Sequence, residues 1–301
     1  MQDLFGCLNI YKPVGMTSHD VVAILRRKTK IRQIGHTGTL DPFAEGVLPI
    51  CIGKATRLIE FLPDDKEYLA TIQFGASTTT YDIEGEKTFT SDKKVNESEI
   101  IEALHTFEGE ISQLPPIYSA IKVKGKKLYE YARKGEEVEI QPRKVTIENI
   151  ELKSFDETLQ QAQVLIKCSK GTYIRTLCHD IGISLGTAAA MASLVRTRVS
   201  VFKIEDTITL EEVQYMADNN PEKLKEYFMP VDALFPGYKK VQIKSSFAGS
   251  LLNGNKLSGN MFYSEAPEPA DGENILVYNE NGVFKAIYKR EAGEYKVNKM
   301  F

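Results

Sequence analysis

The stretch GHTGTLDPFAEGVLPICIG at residues 35–53 carries the pattern from which both the fold and the chemistry of this chain can be argued. Asp41 is one of only two charged residues in it. Pro42 disfavours a helical conformation at Asp41, so the carboxylate is predicted at a turn. The apolar residues that end the stretch predict a buried element. A carboxylate on a loop that enters the core is a candidate nucleophile or base, although an Asp before a Pro is most often a turn former or a helix cap.

Length and composition indicate a folded protein. The chain has 301 residues, of which 42% are hydrophobic and 26% charged, so we expect an ordered protein with two domains. No stretch approaches the roughly 20 apolar residues of a membrane-spanning helix. The first residues lack the positive start and long apolar run of a signal peptide. We therefore expect a cytoplasmic protein with no membrane partner.

Cysteines and histidines give no indication of a metal site. The four cysteines are scattered and form no CxxC pair, which favours a reducing compartment and argues against a cysteine zinc site. The four histidines do not fall in metal-ligand spacing either. We expect no bound metal. The cysteines are Cys7, Cys51, Cys168 and Cys178.

The distribution of charge is more informative than its sum. The net charge of −3 argues weakly against a nucleic-acid partner. Residues 119–146, however, hold eight lysines and arginines against four glutamates, and tyrosines lie among them or just before. Cations bind phosphates and aromatic rings stack on exposed bases, so this segment indicates RNA contact. The alternative is a solvated charged face, which is the usual meaning of a charge run.

Periodicity predicts an α+β fold with a mixed or antiparallel sheet, because strands and helices do not alternate regularly. Thr17 and Asp20 resemble a capping box that opens a helix. A second helix is expected over 98–107, capped near Ser98. The further predictions are strands over 67–75, 145–152 and 162–168, and helices over 174–185 and 187–195.

A domain boundary is expected near residues 229–238, which are rich in proline and small residues. The first domain would cover 1–235, and a small β-rich domain would cover 238–301. In the second, Asn281-Gly282 predicts a hairpin turn between strands at 275–277 and 283–287.

Three further residues could take part in chemistry with Asp41. Tyr68 lies near the start of a predicted strand, where a strand-edge tyrosine is common. Tyr173 and Arg175 are two residues apart, and an arginine there could pair with a carboxylate, keep it ionised and orient it. A surface arginine is the alternative. This inventory suits covalent catalysis by a carboxylate on a flat aromatic ring or a sugar, and does not suit hydride or phosphoryl transfer.

Several long motifs, in a fixed order, resemble the TruB family of bacterial tRNA pseudouridine-55 synthases. They are NIYKPVGMTSHDVV, GHTGTLDPFAEGVLPICIGKATR, KEYLATIQFG followed by T-x-T-x-D-x-x-G at Thr78–Gly85, PPIYSAIKVKGKKLYEYAR and CSKGTYIRTLCHDIG. The resemblance implies a pseudouridine synthase fold with a mixed central sheet. It also implies isomerisation of uridine to pseudouridine at position 55 in the T-loop of tRNA, without cofactor or metal. The tail is similar in outline to a PUA-type RNA-binding domain.

The resemblance also implies roles for individual residues. Asp41 matches the catalytic aspartate, Tyr68 the tyrosine that packs on the uracil, and Arg175 the arginine that pairs with the aspartate. His36 matches a histidine associated with flipping the nucleotide. Residues 108–145 correspond to an insertion that grips the T-loop. The substrate-binding residues expected on this basis are His36, Tyr173, Leu194, Lys12, Lys122, Arg133 and Arg143, with Lys12 supporting the active-site tyrosine.

Two alternatives to a self-sufficient enzyme stay open. A non-catalytic RNA chaperone would use the same surface to flip and release tRNA. A guide-RNA-dependent synthase would leave the gripping of substrate to partners, which the basic insertion argues against. We expect a monomer that binds the T-arm of tRNA and has no obligatory protein partner. Attack at C1′, elimination of uracil and an adduct at C6 are three possible routes for Asp41.

Overall fold

The computed structural model of the protein describes residues 5–119, 121–263 and 269–301. Residues 1–4 of the first predicted domain lie outside this range. So do Ala120, within the predicted insertion and one of the motifs, and residues 264–268 of the predicted tail domain.

The strands form a large sheet and a smaller C-terminal sheet, with two short hairpins. In chain order they are β1 Gly6–Lys12, β2 Ile34–His36, β3 Glu45–Ile52, β4 Lys66–Phe74, β5 Ala76–Thr78, β6 Lys87–Thr90, β7 Gly109–Gln113, β8 Lys122–Val123, β9 Lys126–Lys127, β10 Arg143–Asp156, β11 Gln161–Cys168, β12 Ala189–Val199, β13 Phe202–Lys203, β14 Lys239–Gln242, β15 Asn274–Tyr278, β16 Phe284–Glu291 and β17 Glu294–Met300.

The helices are mostly short and amphipathic. They are α1 Ser18–Thr29, α2 Glu97–His105, α3 Leu128–Lys134, α4 Ile174–Ser184, α5 Leu210–Asn219, α6 Pro221–Glu226, α7 Val231–Leu234 and α8 Ala248–Leu252, with 3₁₀ turns at Gly53–Phe61, Ile204–Asp206, Ser245–Phe247 and Gly259–Met261. Within the described part of the chain, none of them is long and apolar enough to cross a membrane.

The large sheet is mixed, as the sequence predicts. Its strand order is β1-β3-β12-β4-β11-β10-β7, with β2 added to β3 and β13 to β12. Strands β3 and β12 run parallel, whereas β12, β4, β11 and β10 are joined by antiparallel pairing. The parallel pair places the start of β3, next to Asp41, beside the middle of β12.

Strand β4 crosses the middle of this sheet and was predicted almost to its bounds. Its residues alternate between buried and partly exposed, and Tyr68, Ala70, Ile72 and Phe74 contribute to the main core together with β11, β12 and α4. The predicted helix over 174–185 is confirmed as α4. Alternation is strong in β4 because one of its faces is buried, and α4 shows helical periodicity although its first five residues are all buried.

The predicted helix over 187–195 is wrong, because Ala189–Val199 forms strand β12. Its alanines favour a helix locally, but the segment lies between β4 and β3 and satisfies its backbone groups by pairing with both. Tertiary pairing overrides a propensity of less than about 1 kcal/mol per residue.

Helix α2 begins earlier than predicted. Its N-cap is Asn96 rather than Ser98, since Asn96 Oδ1 accepts from the backbone N–H of Glu99 (3.0 Å) and Glu99 accepts from the N–H of Asn96 (2.9 Å). The capping box of Thr17 and Asp20 at the start of α1 is confirmed.

The tail forms a four-stranded sheet in the order β14-β15-β16-β17, and the predicted hairpin joins β15 to β16. Gly282 adopts a φ of 72° in its turn, which favours glycine. Leu276 and Ile287 of this sheet share one buried cluster with Val47 and Phe202 of the larger body. The tail therefore packs against the back of β3 rather than being tethered loosely.

Candidate active site

A pocket of about 340 Å³ opens where the loop before β3 meets β4, β12 and the start of α4. Of the residues singled out from the sequence, Asp41, Tyr68, Tyr173, Arg175 and Leu194 all line it. The chain thus brings together residues from four separate segments. The complete lining is Gly38, Thr39, Leu40, Asp41, Lys66, Tyr68, Ser119, Ile121, Ser169, Gly171, Thr172, Tyr173, Ile174, Arg175 and Leu194.

Asp41 lies at a turn and also faces a cation. Its carbonyl oxygen accepts from the backbone N–H of Ala44 (3.1 Å), which closes the turn that Pro42 favours. Its side chain is 43% exposed, and Oδ2 lies 3.0 Å from Nη2 of Arg175. The turn-forming and chemical interpretations of Asp41 are therefore compatible, because the backbone makes the turn and leaves the carboxylate free to pair.

Arg175 is buried between two carboxylates and two carbonyl groups. Its side chain is only 9% exposed, and Nη1 lies 3.4 Å from Oδ2 of Asp82. The guanidinium also donates to the carbonyl oxygens of Thr80 (3.3 Å) and Tyr118 (3.1 Å). A planar fork with several donors suits this arrangement, which fixes the direction from which Arg175 meets Asp41.

Asp82 is itself anchored within the loop after β5. Its Oδ1 accepts from Thr80 Oγ1 (2.6 Å) and from the backbone N–H of Glu84 (3.1 Å). Asp82 is 6% exposed. The T-x-T-x-D-x-x-G motif thus builds a rigid support behind Arg175.

Tyr68 is nearly covered at the pocket wall, with 7% of its surface exposed. Burial raises the pKa of its phenol, while the charge of Arg196 and hydrogen bonding to it act in the opposite direction. Tyr68 lines the pocket, and its hydroxyl lies in the field of the buried Arg196.

Arg196 fastens the loop that carries Asp41. It is completely buried, and its guanidinium donates to the carbonyl oxygens of Val47 (2.7 Å), Gly38 (3.2 Å) and Thr39 (3.3 Å). Gly46 has a φ of +105°, and a β-carbon there would lie 2.4 Å from the carbonyl oxygen of Arg196. A glycine is therefore required at this position for β3 and β12 to approach.

Tyr173 is fixed through its backbone. Gln113, at the end of β7 and 2% exposed, accepts from the N–H of Tyr173 (2.7 Å) and donates to its carbonyl oxygen (3.0 Å). Burial raises the pKa of the Tyr173 phenol, whereas the charge of Arg143 acts to lower it. The two hydrogen bonds tie the predicted insertion to the start of α4.

Lys12 lies beneath the Asp41 loop and is fully buried, which is at odds with its expected substrate-binding role. Its ammonium donates to the carbonyl oxygens of Met16 (2.7 Å), Pro13 (2.8 Å) and Pro42 (3.5 Å). Burial lowers the pKa of Lys12 to about 8. These contacts make Lys12 a support for the loop, and its expected substrate-binding role stays a prediction.

His36 lies on β2 and is not part of the pocket lining. Burial and the charge of Arg196 lower its pKa, so its ring is neutral at pH 7. Nδ1 is buried without a hydrogen-bond partner among the described residues. Its expected part in flipping a nucleotide stays a prediction.

The basic residues of the insertion are exposed and also lie outside the pocket lining. Lys122 is on the β8–β9 hairpin, Arg133 on α3 and Arg143 at the start of β10. Arg133 and Lys127 both lie over the ring of Tyr129, at 5.5 and 5.4 Å. The segment therefore holds a partly buried tyrosine ring with two cations over it, and its exposed cations are open to a large anionic ligand.

The sequence reasoning missed four residues of the site: Asp82, Gln113, Lys66 and Arg196. The sequence did offer a signal for Asp82, because this carboxylate belongs to the T-x-T-x-D-x-x-G motif and follows several threonines. Arg196 directly follows the segment 187–195 that was predicted as a helix, so its place on a strand paired with β3 was not anticipated. Among the described residues, no group of three His, Cys, Asp or Glu side chains could hold a metal ion.

Comparison with known proteins identifies the family. A family model described as TruB family pseudouridylate synthase (N terminal domain) matches residues 26–174, and one described as tRNA pseudouridylate synthase B C-terminal domain matches residues 175–236. The chain is 46% identical over 276 residues to tRNA pseudouridine synthase B of Alkaliphilus oremlandii, covering 91% of this chain and 90% of that protein. The chain belongs to the TruB family.

Another TruB relative, tRNA pseudouridine synthase B of Clostridium perfringens, is 41% identical over 300 residues, which is 98% of both chains. Among solved structures, a chain of an H/ACA RNP bound to a substrate RNA containing 2′-deoxyuridine has a TM-score of 0.76 at 27% identity, covering 99% of this chain and 85% of that one. A chain of a Cbf5–Nop10–Gar1 complex has a TM-score of 0.75 at 28% identity, covering 98% and 84%. The expected pseudouridine synthase fold is confirmed.

The two TruB family models meet between Ile174 and Arg175, inside the pocket. The site therefore needs both matched regions. The second model ends at residue 236, just before β14, so the β-rich tail lies beyond both matches. Its likeness to a PUA domain agrees with its size and four strands.

Proposed function

We propose that this protein isomerises uridine to pseudouridine at position 55 in the T-loop of tRNA, with Asp41 as the nucleophile. The observation that carries the proposal is the half-exposed carboxylate of Asp41, held 3.0 Å from the buried Arg175 in a pocket walled by Tyr68. The family and the names of its relatives agree with it.

The pocket suits a single nucleotide turned out of its stack. Its volume of about 340 Å³ is near the lower end of ligand sites, which span about 300–1,000 Å³. A base cannot be detached and rotated while it is stacked in a folded loop, so it must be extruded. Tyr68 would replace the lost stacking, which is worth about 1–3 kcal/mol per base.

The reaction breaks the bond between C1′ and N1 and forms a bond between C1′ and C5, after which C5 loses its proton. Attack of Asp41 at C1′, elimination assisted by Asp41 and an adduct at C6 all need its carboxylate aimed at the nucleotide. Arg175 supplies that aim. Tyr68 lines the pocket and is the candidate for the base that takes the C5 proton; burial raises the pKa of its phenol, and the charge of Arg196 offsets only part of that rise.

We further propose that tRNA is gripped without an obligatory protein partner, by a monomer acting in the cytoplasm. The exposed cations of α3 and the β8–β9 hairpin, with the partly buried Tyr129 among them, support direct gripping of the T-arm. Activity on a bare T-arm stem-loop, with no guide RNA or protein added, is the expected result. Dependence on either would favour a guided synthase.

The central test is release of tritium from tRNA that carries 5-tritiated uridine, because only isomerisation displaces that hydrogen. Asp41→Asn should abolish release while tRNA binding persists. Asp218→Asn is the matched control, since Asp218 is exposed, pairs with Lys28 and does not line the pocket. Comparable turnover in Asp41→Asn would sink the assignment. Tight binding by the wild type with no tritium release would instead favour an RNA chaperone.

A further inference from the structure

Lys66 is a pocket residue to which neither the sequence motifs nor the proposed chemistry gives a task. It lines the pocket with Asp41 and Tyr68, and it is partly buried. Within the described part of the chain, its ammonium makes no hydrogen bond or ion pair, whereas the neighbouring charged side chains form ion pairs with other residues. Asp64 pairs with Lys170 (2.7 Å), and Asp41 pairs with Arg175 (3.0 Å).

The strand geometry places Lys66 at the mouth of the pocket. Lys66 and Tyr68 are two residues apart on β4, so their side chains leave the same face of the strand, about 7 Å apart along it. Tyr68 is 7% exposed, whereas Lys66 retains more contact with solvent. A β-carbon at Gly38 would lie 3.5 Å from Cε of Lys66, so the bare backbone of the Asp41 loop borders the ammonium.

The electrostatic surroundings favour an anion beside Lys66. Burial and the charge of Arg196 both lower the pKa of Lys66. Lys170 pairs with Asp64, and Arg175 is shared by Asp41 and Asp82, so that group of three keeps one negative charge. Among the described residues of this wall, Lys66 and Arg196 are the cations that have no carboxylate partner. Arg196 is fully buried, so Lys66 is the cation a ligand can reach.

We propose that Lys66 binds a backbone phosphate of the flipped nucleotide at the mouth of the pocket, while the base lies on Tyr68. This inference rests on the proposed function. A nucleotide that turns into a pocket leaves its phosphates at the entrance, since they remain in the chain. An ammonium binds phosphate as a point charge and needs no planar pairing. The uracil is neutral and lies deeper, beside the covered Tyr68.

The first experiment measures binding of a T-arm stem-loop as a function of salt for the wild type, Lys66→Met, Lys66→Arg and the control Lys225→Met. Lys225 is exposed and pairs with Glu222 in its own helix. Loss of one phosphate contact should make the slope of log K against log salt shallower by about 0.7–0.9. Between 50 and 200 mM salt, the affinity of Lys66→Met should therefore fall about threefold less than that of the wild type. Lys66→Arg and Lys225→Met should keep the wild-type slope.

The second experiment removes the charge from the RNA. A stem-loop with neutral methylphosphonates flanking the target uridine should weaken wild-type binding, and Lys66→Met should add no further loss. An additive loss would overturn the proposal. So would an unchanged salt slope in Lys66→Met accompanied by a slower single-turnover rate, since Lys66 would then act on the uracil. Failure of the proposed function is seen separately, as wild-type protein that binds the stem-loop but releases no tritium.

Discussion

Replacement of Arg175 by lysine tests the site most directly, because it keeps the charge and removes the planar fork. The guanidinium meets four acceptors, at 3.0 Å (Asp41), 3.1 Å (Tyr118), 3.3 Å (Thr80) and 3.4 Å (Asp82). They lie around its edge in different directions. A single ammonium cannot reach all four from one position.

The expected magnitude follows from the contact that matters to the reaction. A hydrogen bond to a charged group contributes about 1.5–3 kcal/mol. If the lysine stays with Asp82 and the carbonyl groups, Asp41 loses its orienting hydrogen bond. The transition state is then stabilised less, by about those 1.5–3 kcal/mol. Each 1.36 kcal/mol is tenfold in rate, so the single-turnover rate should fall by about 10- to 150-fold.

The assay is tritium release under single-turnover conditions with enzyme in saturating excess over tRNA, so that weakened binding does not enter the rate. Arg198→Lys is the matched control, because Arg198 pairs with Asp65 from the same strand that carries Arg196 and does not line the pocket. Its rate should stay within about twofold of the wild type. A rate for Arg175→Lys close to that of the control would refute the orienting role of the fork.

Three other predictions concern stability and binding. Gly46→Ala should lower the free energy of unfolding, measured in urea, by about 2–5 kcal/mol, because of an unfavourable φ and overpacking against Arg196. The control Gly272→Ala, with φ +94° and open space around it, should lower it by only about 1–2 kcal/mol. Equal losses in the two variants would contradict the close approach of β3 and β12. Burial raises the pKa of Asp180 from 3.8 to about 6, so the native state binds the extra proton and loses stability as pH rises through that window. Asp180→Asn should therefore stabilise the protein more at pH 7.5 than at pH 4.5, and a pH-independent effect would argue against the shift. Neutralising Lys122, Lys124, Lys126 and Lys127 together should weaken tRNA binding and flatten its salt dependence, and an unchanged slope would remove them from the interface.

Elements that bury one face were predictable from the sequence. Strand β4 shows the period of two, and α4 shows a single apolar stripe, so both were found nearly to their bounds. Strand β12 was not, because its alanines satisfy a helical pattern equally well and only its two partner strands decide the matter. The N-cap of α2 was missed because Ser98 and Asn96 are both good caps, and the reciprocal bond to Glu99 selects between them.

The site residues also divide into those that the sequence indicated and those that only the fold revealed. Asp41, Tyr68, Tyr173, Arg175 and Leu194 were named from motifs and do share a pocket. Their distances could not be read from a sequence, since they depend on the register between β3, β12 and β4. Lys12 was expected to contact substrate, and only its burial shows that its hydrogen bonds are spent on the loop backbone.

The bonds from Arg196 to the Asp41 loop have a consequence for the order in which the protein becomes competent. They join positions 149 to 158 residues apart in the chain. At about 5–20 residues per second, a ribosome needs roughly 7–30 s to add the residues between Val47 and Arg196. Throughout that interval the loop with Asp41 lacks the hydrogen bonds from Arg196, and for most of it Arg175 has not been added either. A nascent chain therefore carries the Asp41 carboxylate long before the pocket around it exists, and the pocket is complete only when β12 has been inserted between β3 and β4.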